Sequence, residues 1–151
     1  MTEQTSSLTV VRIIKAPVKR VYEAWTNAAK YSRWMSSPGV IAKTPEMDAR
    51  VGGKYRFEVH VESTGDVHIT EGEYLEVIPN RKIVKTWTYS GTFKQFSGKT
   101  TKLTVEFREI KPDVTELTLT HENLPSAEYF DSVNEGWAKC LDQLDAWLAQ
   151  E

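Results

Sequence analysis

The stretch at residues 8–15, LTVVRIIK, is dense in β-branched side chains and bounded by polar ones, which predicts a first strand. Pro17 follows where a first-turn proline belongs, its φ already set and no N–H left to pair. Val18, Val21, Tyr22 and Trp25 recur at i, i+3, i+4 and i+7, an apolar helical stripe that Asn27 ends. Tyr31, Trp34 and Met35 repeat the spacing over a second short helix, stopped by Pro38-Gly39. From residue 40 to residue 121 the period changes to two. Tyr55, Phe57, Val59 and Val61 alternate with Lys54, Arg56, Glu58 and His60, so one sheet face is apolar and the other wet.

Gly52-Gly53 predicts a turn or bulge before that strand, and turn signals recur at residues 63–66, 79–80, 97–98 and 111–113. The strands between them fall at residues 67–78, 82–89, 101–110 and 114–121. No helical pattern separates them, which predicts antiparallel hairpins and not crossover units. Leu124-Pro125-Ser126 opens the last element, with Ser126 as its N-cap. Phe130, Val133, Trp137, Cys140, Leu141, Leu144, Trp147 and Leu148 form a broad helical stripe. A sheet with one apolar face needs a cover, and this helix is the long amphipathic element available to supply it. The expectation is an α+β fold: an antiparallel sheet, two short helices after the first strand, and a long C-terminal helix across the sheet.

Length and composition agree with one domain over residues 1–151, with residues 1–7 disordered. A net charge of −2 carries no basic excess of the kind a nucleic-acid or anionic-membrane binder needs. No apolar run approaches the roughly 20 residues of a membrane span, and the polar start is unlike a signal peptide. One cysteine, Cys140, cannot form an internal disulfide, and no Cys/His cluster has metal-ligand spacing. The expectation is a cytoplasmic monomer or weak dimer with no metal and no cofactor.

Candidate chemistry is sparse. His121 shares strand parity with Leu117 and Leu119 and should face inward, where an imidazole must find a partner. His60 should face solvent, and the facing of His68 is ambiguous. Glu71, Glu73 and Glu76 sit on one strand and could do acid–base work, but an exposed sheet face with Arg56 and Arg108 as cross-strand partners explains them too. Cys140, on an apolar stripe without a base nearby in sequence, reads as a small hydrophobe. Gly136 inside a helix costs about 1 kcal/mol relative to alanine, so it either lets a strand approach or leaves room beside Trp137. Gly52-Gly53 lacks the helix and lysine of a phosphate loop.

The segments APVKRVYEAWTNAAKYSRWM (residues 16–35), DARVGGKYRF (48–57), GEYLEVIPNRKIVKTW (72–87), TELTLTHENLP (115–125) and GWAKCLDQLDAWL (136–148) are similar, in this order, to the START-like (SRPBCC) superfamily. Within it the chain most resembles the family named after the activator of the heat-shock protein 90 ATPase. The resemblance implies the helix-grip fold, in which a curved sheet grips the final helix and often leaves an elongated cavity. It implies three kinds of activity among relatives: binding of lipids, hormones or aromatic polyketides, cyclisation chemistry, and chaperone activation by a namesake that carries a second domain.

Three functions are therefore weighed. The favoured one is a non-enzymatic domain whose cavity takes a small hydrophobic or aromatic molecule, lined by Trp34, Tyr55, Phe57, Trp87, His121, Tyr129, Phe130 and Trp137. The second is a chaperone-binding module using charged positions on the exposed sheet face, Lys54, Arg56, Glu58 and Lys85. The third is a cyclase- or hydrolase-like enzyme with His121 or a tyrosine as acid–base group.

Overall fold

The computed structural model describes residues 6–150. Strand β1 (Ser6–Ile14) leads into helices α1 (Val18–Thr26) and α2 (Ala28–Met35). Short strands β2 (Val40–Ala42) and β3 (Glu46–Met47) precede β4 (Lys54–Val61), β5 (Val67–Ile78) and β6 (Lys82–Gly91). A 3-10 turn at Lys94–Phe96 leads to β7 (Thr100–Lys111), β8 (Val114–Leu124) and helix α3 (Ala127–Ala149). The strands form one curved, open antiparallel sheet in the order β1-β8-β7-β6-β5-β4-β2, with β3 also paired to β4. Ser6 and Ser7 correct the expectation of a disordered start, because they begin β1, with Ser6 opposite Leu124; residues 1–5 lie outside the described residues.

The helix boundaries follow local chemistry. The Asn27 N–H closes α1 on the Glu23 carbonyl at 2.9 Å, and the Asn27 side chain accepts the Lys30 N–H at 3.1 Å to cap α2. One residue thus ends one helix and starts the next. At the far end of α2, the Gln143 amide of α3 donates to the Trp34 carbonyl at 2.7 Å and the Ser36 carbonyl at 3.3 Å, satisfying groups that a helix end leaves orphaned. Ser126 caps α3, its hydroxyl accepting the Tyr129 N–H at 3.1 Å.

The core lies between the sheet's inner face and the three helices. Trp25, Tyr31 and Trp34 from the helices, Leu103, Val105, Leu117 and Leu119 from β7 and β8, and Leu141, Leu144 and Leu148 from α3 are all buried. Helix α3 passes over β8 and β1 and reaches β6 through Trp137, whose ring lies 5.3 Å from that of Trp87. Arg12 on β1 pairs with Asp142 on α3 at 2.6 Å, but both side chains are solvated, so this bond adds little to the packing.

Two irregularities in β5 shape the inner face. Between Tyr74 and Glu76 the β5–β6 register shifts, leaving Leu75 as an extra residue. At Gly72 a Cβ would stand 2.1 Å from the Thr86 carbonyl oxygen, so only glycine allows so close a strand approach. The Tyr55 hydroxyl donates to that same carbonyl, and the Thr86 hydroxyl accepts the Glu73 N–H.

Candidate functional site: an aromatic cavity under helix α3

A cavity of about 220 Å³ opens between the N-terminal half of α3 and the inner face of β5 and β6. Strand parity builds one wall: His68 and Thr70 on β5, and Trp87 and Tyr89 on β6. Helix spacing builds the opposite wall from Tyr129, Val133, Gly136, Trp137 and Cys140, while Met35 closes one end from α2. The segment around the 3-10 turn contributes Phe93 and Phe96. Phe96 packs edge-on against Tyr129 at 5.1 Å, and Phe93, 41% exposed, stands at the solvent edge against His68 at 4.7 Å.

Gly136 separates its two readings cleanly. A Cβ built there meets nothing within 4 Å, so no strand presses against it and the space beside Trp137 is open.

His121 lies behind the Trp137 indole, with 0% of its surface exposed. The Trp137 Nε1–H donates to Nδ1 at 3.1 Å, which assigns the imidazole proton to Nε2. Nε2 is 2.6 Å from the Thr101 hydroxyl, and that hydroxyl donates onward to the Trp87 carbonyl at 2.9 Å. Every donor and acceptor in this chain is matched. Burial first, and the Lys85 charge second, lower the His121 pKa to about 4. Neither ring nitrogen is left to exchange a proton with a molecule in the cavity.

Lys85 corrects the expectation that it belongs to the exposed sheet face. It alternates with Ile83 and Trp87, faces inward and is 1% exposed. Its ammonium nitrogen lies 4.2 Å from the Tyr55 ring centre, 5.2 Å from Tyr31, 5.7 Å from Tyr74, 5.9 Å from Trp87 and 6.0 Å from Trp25. Among the described residues no carboxylate pairs with it, and burial alone lowers its pKa to about 7. Among the described residues the Tyr31 and Tyr74 hydroxyls and the Trp25 Nε1, all in the rings around this amine, have no hydrogen-bond partner.

Of the eight residues expected to line a cavity, Trp87, Tyr129 and Trp137 stand in this wall and His121 lies directly behind it. The other four are placed elsewhere. Trp34 is locked in the helix pair, its Nε1–H donating to the Ala24 carbonyl at 2.7 Å. Tyr55 faces the Lys85 amine, Phe57 packs edge-on against Tyr31 at 5.4 Å, and Phe130 is half-buried on the next face of α3. Residues not singled out as lining include Met35, Thr70, Tyr89, Phe93, Phe96 and Ser132. Thr70 and Tyr89 share the inward parity of Gly72 and Trp87, a signal that was present. Phe93 and Phe96 sit in an irregular segment with no period to read.

The carboxylates of β5 face outward, each near a cation: Glu71 with Arg56 at 3.5 Å, Glu73 with Lys54 at 3.8 Å, and Glu76 with Lys82 at 3.5 Å. Arg108 makes a two-pronged pair with Glu116 instead, both contacts at 3.2 Å. On the same outer face Glu58 gathers Lys43, His60 and Arg56, and the bonds from Lys43 and His60 hold its pKa near 2. This is a surface ion-pair network. Among the described residues no three His, Cys, Asp or Glu side chains are grouped to hold a metal ion, and no helix is long and apolar enough to cross a membrane.

A curved sheet clasping a terminal helix agrees with a sequence profile described as Activator of Hsp90 ATPase homolog 1-like protein, which matches residues 15–149. The chain belongs to this family. Solved structures of similar fold include a protein from Chromobacterium violaceum, 27% identical, with a TM-score of 0.82 over 94% of this chain and 96% of that one. An HSP90 activator from Plasmodium falciparum is 26% identical, with a TM-score of 0.71 over 95% of this chain and 96% of that one. A Rhizobium leguminosarum protein reaches a TM-score of 0.84 over 98% and 97% at 24% identity, a likeness of fold alone. Among curated protein sequences none matches.

Proposed function

We propose that this family member is a binding domain that holds a small hydrophobic or aromatic molecule between β5, β6 and α3. The observation that carries the reading is the cavity of about 220 Å³ with aromatic rings on both its sheet and helix walls, beside a glycine whose missing side chain keeps it open. Ligand sites are mostly apolar with a few polar groups, and an enclosed apolar space of about 150 Å³ already accepts benzene. A one- or two-ring molecule is the matching size. Titration with small aromatic compounds should shift the indole resonances of Trp87 and Trp137 and the amide of Gly136. Gly136→Leu, which fills the cavity from the helix side, should remove those shifts. A panel of such compounds that leaves all three positions unmoved at millimolar concentration would end this reading.

A second reading is favoured by the family itself and by the likeness to the Plasmodium falciparum HSP90 activator. The outer face of β4 and β5, with Lys54, Arg56, Glu71 and Glu73, would then meet a chaperone through complementary charges, which set association rate and specificity. Purified heat-shock protein 90 should hydrolyse ATP faster when this chain is added, and charge reversal at Arg56 should weaken the effect. No acceleration and no complex would remove it.

A further inference from the structure

The two edges of the sheet are finished differently. On one side β2 and β3 are three and two residues long and are separated by Pro45, which leaves little backbone for another chain to pair with. On the other side β1 presents nine residues and, among the described residues, pairs with β8 alone. In an antiparallel pair every second residue bonds to the neighbour, and the residues between them turn their N–H and C=O groups away. Among the described residues no backbone group outside β8 bonds to residues 8–13. From Leu8 to Ile14 the register with β8 is unbroken, and no proline or lysine guards the strand. Its one charge, Arg12, is turned in towards α3 and taken by Asp142.

The two flanks of this edge differ in chemistry. On the outer face Thr9, Val11 and Ile13 are exposed, the last two at 54% each. On the inner face α3 runs beside the strand, where Arg12 donates to Asp142 and to the Ala138 carbonyl. Asp131, Glu135 and Asp145 share that side of the helix, by the three- and four-residue spacing that stacks side chains. All six charged residues of α3 are exposed, and five of them are acidic. Side chains of a strand alternate between its two faces, so this edge matches a strand that alternates apolar with basic residues. A second copy of this chain fits poorly, since pairing β1 with β1 would set one acidic helix beside another.

We propose that β1 is a docking edge that takes an extended segment of another protein, alternating apolar with lysine or arginine side chains, as an added strand. The backbone of that segment continues the ladder beyond β1. Its apolar side chains lie beside Val11 and Ile13, and its cations lie beside Glu135, Asp142 and Asp145. In strand addition the main-chain bonds supply affinity and the alternate side chains supply specificity.

The test uses the full chain and three nine-residue peptides with blocked ends. One alternates lysine and valine, one alternates glutamate and valine, and one carries the same lysines and valines in two blocks. At about 1 mM, the alternating lysine peptide should shift the amides of residues 8–14 and slow hydrogen exchange of the edge-facing ones by at least about tenfold. The other two should bind at least about tenfold more weakly. Glu135→Gln with Asp145→Asn, which leaves the Arg12–Asp142 pair intact, should weaken the lysine peptide about fivefold and reduce its salt dependence. Equal affinity for the three peptides overturns the proposal, as does the absence of any shift. So does a lysine peptide that shifts α3 while residues 8–14 exchange as before. Protection of β1 without peptide, in a chain that sediments as a dimer, would make a second copy the occupant and overturn it too.

Discussion

Replacing Lys85 with methionine should make the protein more stable, against the usual expectation for a fully buried position. The ε-amino group sits among five aromatic rings with no carboxylate partner among the described residues, and its pKa is lowered from 10.5 to about 7 by burial. At about 1.36 kcal/mol per pKa unit, holding the amine unprotonated at pH 7 costs about 4–5 kcal/mol relative to the unfolded chain. Methionine has a similar length, no charge and a liking for aromatic edges. The expectation is a gain of about 4 kcal/mol for Lys85→Met at pH 7.

The sign with pH follows from proton counts. Between pH 7 and pH 10.5 the unfolded chain keeps the Lys85 proton that the folded chain has lost, so stability rises with pH across that window. The titratable groups around the amine are Tyr31, Tyr55, Tyr74 and His121. Burial raises the three tyrosine pKa values and lowers that of His121, so none of them titrates in the folded chain between pH 7 and pH 9.5. Urea unfolding of wild type and Lys85→Met at pH 7, 8, 9 and 9.5 isolates the residue by difference. The advantage of the variant should shrink by about 3 kcal/mol over that range. A variant less stable than wild type at pH 7, or a difference that does not move with pH, would refute the reasoning and show the ring cage to be a net stabiliser of the charged amine.

Gly136→Ala should stabilise by about 0.5–1 kcal/mol in urea unfolding, because helix propensity improves and the new methyl meets no neighbour; a loss of stability would show the space to be filled. Trp137→Phe keeps a ring in the wall but strips the donor from His121 Nδ1, and a buried acceptor left unpaired should cost about 1–3 kcal/mol. On the acid side, the His121 pKa near 4 means that the unfolded chain gains a proton below pH 6.5 that the folded chain refuses. Wild type should therefore lose about 3 kcal/mol from this group between pH 6.5 and pH 4 in chemical denaturation. A histidine resonance from His121 titrating above pH 6 would contradict it.

Much of this arrangement was legible because periodicity carries facing. Parity placed His121, Trp87 and Tyr55 inward, the helical stripe placed Trp137 and Leu141 against the sheet, and Ser126 marked the start of α3. Lys85 departs from the expectation for a physical reason: a lysine charge points to the wet face, whereas parity with Ile83 and Trp87 points inward, and parity prevails. The bulge at Leu75 leaves no mark in the alternation, and a short irregular segment such as the one bearing Phe93 and Phe96 has no period at all. Of the eight residues expected to line a cavity, the three that stand in its wall, Trp87, Tyr129 and Trp137, lie on the long elements β6 and α3. Trp34, Tyr55 and Phe57 were equally inward, but facing inward does not say whether a side chain meets empty space or another ring.

Helix α3 changes character along its length. Its C-terminal half, with Leu141, Leu144 and Leu148, is packed tight; its N-terminal half leaves a hollow against β5 and β6. At about 24 cal/mol per Å³, an unfilled dry cavity of about 220 Å³ costs about 5 kcal/mol, an upper bound here because Phe93 leaves the hollow partly wet. That is comparable to the whole stability of many domains. The unpaired amine of Lys85 adds a second cost with its nitrogen 5.9 Å from Trp87, the ring that also walls the cavity. Neither feature helps a sheet to hold a helix, since leucines in the same positions would do it better. A hollow kept open by a glycine has a physical use once something enters it. Any molecule that binds only the folded chain then raises its stability by mass action, by about 2.7 kcal/mol at a concentration one hundred times its Kd.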